Sequence, residues 1–412
     1  MTAAGSAQPR RLVVNGRFLS QRVTGVQRYA RELVRALDAR LADRAAAGDP
    51  WPAEIHAPPG AGPMPGLRHL VVRTVGRRHG HAWEQLDLPR AAAGAILLNL
   101  GNTGPLLHPR QLLCIHDAGI YTVPESYSPA FRAWYRALWA VLGRRALKVL
   151  TVSAFSAGEL SRHAGIAPDR LAVVPNAADH MAGLAPAAGA LARFGLTPGG
   201  YVLALGSRAR AKNLAGLAAA MALLPEPRPP LVTAGGRNAR IFADAGAFDG
   251  LRELGPVDDA TLKALYQGAL CLVFPSFYEG FGLPPLEAMT AGCPVVASRA
   301  ASLPEVCADA ALYVDPHDPA DIAAAIARLA GDPDLRADLV ARGRRRAADF
   351  GWDLSAARLL TVLDAVAGDQ APRGDGRPGG SALARLGVRR LTRETSSTTP
   401  RNSRKGNSAR DR

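Results

Sequence analysis

Short β-branched or apolar runs alternate with helix-periodic stretches along most of the chain, and this alternation confines the fold to parallel α/β architecture. RLVVNG (11–16) reads as a first strand, and the segment behind it sets Val26, Tyr29, Ala30, Leu33, Leu37 and Leu41 at helical spacing. GAILLNLG (94–101), QLLCIHD (111–117), LKVLTVS (147–153) and RLAVVPN (170–176) complete a first set of strands. YVLALGS (201–207), PPLVTAGG (229–236), RELGPV (252–257), ALCLVFPS (269–276) and CPVVAS (293–298) make a second. Each run ends in polar or Gly residues, where α/β proteins bind ligands.

With 412 residues the chain has room for two such units, each with its own core. The expected fold class is α/β, two Rossmann-like doubly wound domains facing each other across a cleft. A flexible 1–10 precedes a first domain over 11–185. A Gly-, Pro- and Ala-rich connection (180–200) leads into a second over 186–352. A helix at 353–368 returns to the first domain, and 369–412 forms a basic disordered tail.

Charge divides unevenly. The formal net charge is +15, yet 371–412 alone holds 11 Lys/Arg against 3 Asp/Glu in a Gly-, Ser- and Thr-rich context. Much of the basicity is thus separable from the fold, and with no recognition motif elsewhere a nucleic-acid partner is not expected. No apolar run approaches the roughly 20 residues of a membrane span, and MTAAGSAQPRR lacks the apolar core of a secretory signal. The expected localisation is cytoplasmic. Cys114, Cys271, Cys293 and Cys307 have no C-x-x-C spacing and read as buried, reduced thiols.

The most informative stretch is FPSFYEGFGLPPLEAM (274–289): a strand end, glycines at 280 and 282, then a helix opening near Pro284 or Pro285. Gly280 and Gly282 permit close backbone approach, and a helix N-terminus favours phosphate. Glu279 and Glu287 stand eight positions apart; a carboxylate accepts two hydroxyls at once, which suits vicinal diols. Asp258-Asp259 reads as a helix start and Asp315 to Asp318 as a turn, so no D-x-D metal loop is evident.

This E-x7-E segment, with EGFGLPPLEAMTAGCPVVAS, SLPEV and ALYVDP behind it, resembles the donor-domain signature of glycosyltransferase family 4. Further pieces match in order: TGVQRYARELVRAL (24–37), IHD (115–117), TVSAFSAGEL (151–160), VVPNAADH (173–180) and GSRARAKNL (206–214). The resemblance covers residues 11–367 and implies a GT-B fold and a retaining, metal-independent transfer of a hexose from a nucleotide sugar to a hydroxyl. It implies no metal and no cofactor. GDP-mannose is slightly favoured as donor, and a glycan or lipid-linked molecule is the expected acceptor in polysaccharide or glycolipid assembly.

By the same resemblance Glu279 contacts the donor sugar, Glu287 the ribose, Lys212 the diphosphate, and His116 lies near the sugar. Gly25, Val257, Gly280, Phe281, Gly282 and Leu283 line the donor. The family's arginine before the lysine is replaced by Ala211, with Arg208 and Arg210 nearby; Arg210 is the chosen substitute. That departure keeps open an inactive nucleotide- or carbohydrate-binding protein; among enzymes a GT-B type nucleotide-sugar epimerase or a sugar phosphorylase is the alternative. Asn176 is better read as a cap or turn former. FRAWYRALWAVLGRRALK (131–148) carries an aromatic face flanked by arginines. Packing on the first sheet is the favoured reading; peripheral contact with an anionic membrane at its inner face is the other.

Overall fold

The computed structural model describes residues 11–206, 210–235 and 250–368. The terminal segments 1–10 and 369–412 lie outside them, as does Arg208, so the readings made there have no structural counterpart.

The described residues build two wholly parallel sheets. The first contains β1 (Leu12–Asn15), β2 (Ala53–Ala57), β3 (Val71–Thr74), β4 (Ile96–Asn99), β5 (Gln111–Cys114), β6 (Lys148–Thr151) and β7 (Leu171–Val173), in the order β3-β2-β1-β4-β5-β6-β7. The second contains β8 (Val202–Gly206), β9 (Leu231–Gly235), β10 (Leu251–Gly255), β11 (Cys271–Phe274), β12 (Val295–Ser298) and β13 (Leu312–Val314), in the order β10-β9-β8-β11-β12-β13. In each, strand order reverses once, between β1 and β4 and between β8 and β11, the switch points of doubly wound sheets. Central strands such as β1, β4, β5 and β11 are buried along their whole length, which explains their unbroken apolar sequences.

Three strands go beyond the sequence reading. β2 carries Glu54 and His56, β3 is a largely exposed edge strand, and β13 has three residues; none presents the long apolar run by which the others are recognised.

The helix Gly25–Ala46 begins where the Gln27 side chain accepts from the Thr24 N–H at 3.2 Å, one half of a capping box. Its buried stripe of Tyr29, Ala30, Leu33, Val34, Leu37 and Leu41 follows the expected spacing. Against it packs the helix Trp352–Gly368, whose Ala356, Leu359, Leu363 and Val366 join the first-sheet core. Arg40 pairs with Asp353 at 2.6 Å and Arg44 with Asp364 at 2.9 Å along their flank. Packing changes hands between Ala178, in the first core, and Met181, in the second. Phe281, Leu286 and Val306 of the second domain also join the first core, so the seam is partly apolar.

All four cysteines are free and buried, and burial pushes the thiols of Cys114, Cys271 and Cys307 up to about 12. Leu138, Trp139 and Leu142 of the helix Pro129–Arg145 pack against Leu113, Ile115 and Val149, whereas Phe131 and Trp134 on the same helix are exposed. None of the described helices is long and apolar enough to cross a membrane.

Candidate functional site

At the carboxyl end of β8 the chain makes a tight turn over Arg210–Lys212, and the helix Leu214–Ala222 follows, capped by the Asn213 side chain. Lys212 Nζ lies 2.6 and 2.9 Å from the two carboxylate oxygens of Glu279, which stands just beyond β11, the neighbour of β8 across the switch point. The ammonium also sits 5.1 Å from the centre of the Phe274 ring. Lys212 and Glu279, 67 positions apart, thus form one charged pair on the second domain. Arg210 is exposed and Ala211 is buried, so the position where the resemblance places an arginine faces the interior.

Glu279 opens the loop by which the second domain touches the first. The Gly280 carbonyl accepts from Ser153 Oγ at 2.6 Å and Ser156 Oγ at 2.9 Å, both at the start of the helix Ala154–Ala164. A Cβ on Gly280 would lie 2.8 Å from the His116 carbonyl oxygen and 2.8 Å from Asp117 Cβ, which is why only glycine fits. The side of Gly280 on which a Cβ would stand thus faces the first domain. Gly282, with φ +99°, is the left-handed N-cap of the helix Leu283–Ala291. Pro284 and Pro285 fill its first turn as expected and remove two N–H donors there. Two further contacts span the seam. The Tyr278 hydroxyl accepts from the Ala118 N–H at 3.1 Å, and the Glu305 carboxylate accepts from the N–H groups of Ala154 and Phe155 at 2.7 and 2.9 Å.

From the first domain, His116 and Asp117 meet this loop. His116 is 7% exposed, its ring nitrogen Nε2 is 3.0 Å from the Leu100 carbonyl, and its ring meets Tyr29 edge-on at 4.8 Å. Donation to that carbonyl leaves Nδ1 as an acceptor. Burial holds the imidazole down to about 4. The Asp117 carboxyl is raised by burial and by the nearby Glu279 charge, against the lowering effect of the Gly119 N–H and Lys212.

Glu287, on the helix Leu283–Ala291, is 5% exposed and lies deeper. It accepts from Tyr266 at 3.1 Å, stands 3.2 Å from His180 Nε2, and has Arg28 at 3.9 Å. Arg28, on the helix Gly25–Ala46, also grips Asp259 with distances of 2.8 and 2.5 Å.

Other expected residues take quieter places. Gly25 is exposed at the first turn of its helix with open space where a Cβ would stand. Phe281 is buried edge-to-face against Phe350 at 5.6 Å. Leu283 packs beside it, Val257 is half-buried against the second core, and Asn176 is buried. Asp258 caps the helix Asp259–Gly268, and Asp315 accepts from the His317 N–H within its turn, both as read from sequence. Among the described residues no three His, Cys, Asp or Glu side chains converge as a metal-binding group requires.

Sequence reasoning missed a polar cluster at the first switch point. Asn15 donates to Glu84 and Asn99 at 2.9 Å each, and Arg17 reaches Glu84 at 2.9 Å and Thr103 at 2.7 Å. Glu84 is 1% exposed in a π-helical segment, Trp83–Asp87, a rare form that concentrates at functional sites. The polar end of RLVVNG was its only signal.

Comparison with known proteins matches residues 23–181 to the family Glycosyltransferase Family 4 and residues 197–346 to Glycosyl transferases group 1. The O-antigen chain mannosyltransferase B of Escherichia coli is 38% identical over 258 residues, covering 59% of this chain and 67% of the relative. A D-inositol 3-phosphate glycosyltransferase of Pseudarthrobacter chlorophenolicus is 30% identical over 395 residues, covering 83% and 90%. The matched part spans only 53–59% of the length of other curated relatives. Among solved structures, sucrose-phosphate synthase from Thermosynechococcus elongatus has a TM-score of 0.65 at 21% identity, covering 88% of this chain and 100% of that one. Anabaena HepE in complex with UDP and glucose has a TM-score of 0.64 at 17% identity, covering 86% and 99%. At these identities the likeness shows the fold.

Proposed function

The chain belongs to glycosyltransferase family 4, with the GT-B fold, and from that premise we propose that it moves a hexose from a nucleotide sugar to an acceptor hydroxyl with retention and without a metal. The observation that carries the reading is the Lys212–Glu279 pair, fixed on the donor-side domain and facing the His116–Asp117 loop of the other.

The chemistry follows from charge. A nucleoside diphosphate leaves with growing negative charge, and Lys212 is a compact cation that can exchange its carboxylate partner for a diphosphate. Glu279, released from that pairing, is free to accept hydroxyls of the transferring sugar as it gains oxocarbenium character. His116, kept neutral by burial, offers Nδ1 as a hydroxyl acceptor without adding positive charge beside the cationic sugar. The N–H groups of Gly282 and Leu283, at a helix N-terminus, supply fixed dipoles. With Ala211 buried, the second cation falls to Arg210. Glu287 meets the ribose, and Gly25 brings open backbone toward the diphosphate.

Mannose from GDP-mannose is the favoured donor, because the E. coli relative is named a mannosyltransferase of O-antigen chains. The HepE complexes make UDP-glucose the competitor. The acceptor is a glycan or a lipid-linked glycan. Exposed Phe131 and Trp134 support a lipid-linked one, with peripheral contact at the cytoplasmic face of an anionic membrane. The test is incubation with GDP-mannose, UDP-glucose and dTDP-glucose, with and without EDTA, following release of nucleoside diphosphate in the presence of glycan acceptors. No release from any donor, together with no thermal stabilisation by GDP, UDP or dTDP, defeats the reading.

A further inference from the structure

Two segments reach Glu287 from outside its own domain core, the helix Gly25–Ala46 through Arg28 and the crossover 178–182 through His180, and the start of the helix Trp352–Gly368 holds His180 through Trp352. Within this cluster the direction of every hydrogen bond can be worked out. The Trp352 indole N–H can only donate, and it lies 3.2 Å from His180 Nδ1. Nδ1 must therefore be the acceptor. In the neutral ring the proton then sits on Nε2, which points at Glu287 Oε1 at 3.2 Å. His180 is thus fixed as a donor toward the carboxylate, by the same logic through which an outer partner sets the tautomer of a metal-bound histidine.

The backbone reinforces the arrangement. Both Asp179 oxygens lie 3.2 Å from the Trp352 N–H, so adjacent residues of the crossover hold Trp352 by main chain and by ring. On the far side Tyr266, fully buried, donates to Oε2. A carboxylate has about four lone-pair sites. Two are occupied by these donors, which sets the plane of the group and leaves two for a pair of adjacent hydroxyls.

We propose that His180, locked in tautomer by Trp352, is a positioning residue that aims the Glu287 carboxylate at the ribose of the nucleotide. The inference rests on the reading that Glu287 meets the ribose. It predicts a defect in nucleotide binding, read through Glu287, with the chemical step spared.

The experiment is a double-mutant cycle on the full chain, with GDP, UDP and dTDP as titrants and turnover followed at saturating donor. Glu287→Gln and His180→Ala should each weaken nucleoside diphosphate binding about tenfold and raise donor KM, with kcat within about twofold of the parent. The double variant should bind no worse than Glu287→Gln alone, a non-additivity that a merely structural role would not produce. His180→Gln, whose amide can accept from Trp352 and donate to Glu287, should restore binding to within about threefold. If Glu287→Gln binds normally, or the parent binds none of the three, the ribose assignment falls and the inference with it. If Glu287→Gln binds weakly while His180→Ala binds normally, or if the two losses add, the ribose assignment stands and positioning by His180 is wrong. Loss in His180→Ala that tracks a fall in melting temperature and is not rescued by His180→Gln also overturns it.

Discussion

Replacing Gly280 by alanine should open the seam between the domains while leaving each core intact. The new Cβ would stand 2.8 Å from the His116 carbonyl oxygen and from Asp117 Cβ, and neither can rotate out of the way. Ordinary contact requires about 3.5 Å, so the loop must retreat by roughly 0.7 Å. Ser153 and Ser156 then lose good geometry to the Gly280 carbonyl, now 2.6 and 2.9 Å away, at about 1 kcal/mol for each bond. Glu279 is carried with the loop, and a displacement approaching 1 Å at a reacting group costs up to about 100-fold in rate. Gly280→Ala should therefore turn over about 30- to 100-fold more slowly by nucleotide release, with little change in melting temperature. Gly158→Ala, where a Cβ meets nothing within 4 Å, is the control and should behave as the parent. Parent-like turnover in Gly280→Ala would show that the seam contact does not place Glu279.

Other outcomes follow from the same geometry. Lys212→Ala should lower kcat by about 100-fold or more while the parent keeps full activity in EDTA; activity lost in EDTA and restored by magnesium would transfer the charge-stabilising role to a metal. For His116, an unfolded chain takes up a proton near the ordinary 6.5, which the folded protein refuses until about 4. Its contribution is complete above pH 6.5 and is lost as pH falls through this window, by roughly 3 kcal/mol, so denaturant melts of the parent and His116→Gln should converge in acid. Truncation after Gly368 should leave the melting midpoint within about 2 °C, since the Gly-, Ser-, Thr- and Arg-rich composition of 369–412 offers little apolar surface to bury, and a large drop would refute this.

The architecture was legible because alternation of short apolar runs with 3.6-residue periodicity is a local signal, and doubly wound sheets repeat it many times. The helix of Val26 to Leu41 and the strands around Leu97, Leu112 and Leu272 were readable for that reason. Ala53–Ala57 and Val71–Thr74 were not: the first is an inner strand whose Glu54 and His56 break its apolar run, and the second is an exposed edge that needs no apolar face. At the site, the motifs named individual residues, but their mutual arrangement could not be read from them. Arg28 and Asp259 are 231 positions apart and His180 and Glu287 107, and no spacing rule relates such pairs. The polar cluster of Asn15, Arg17 and Glu84 was invisible for the same reason, and so was the packing of Phe281 against Phe350.

The helix Trp352–Gly368 has a consequence for synthesis of the protein. Its Leu359 and Leu363 fill the groove beside Leu33, Leu37 and Leu41, yet Arg40 and its partner Asp353 are 313 positions apart. At about 5–20 residues per second a ribosome needs roughly 15–60 s to travel between them. Throughout that interval the face of the helix Gly25–Ala46 that Leu359 and Leu363 will cover remains open, a greasy flank on an otherwise completed nascent domain. Trigger-factor-like holdases should therefore linger on nascent chains of this protein until the closing helix emerges, and ribosome-bound chains stalled short of Trp352 should be protease-sensitive within residues 25–46.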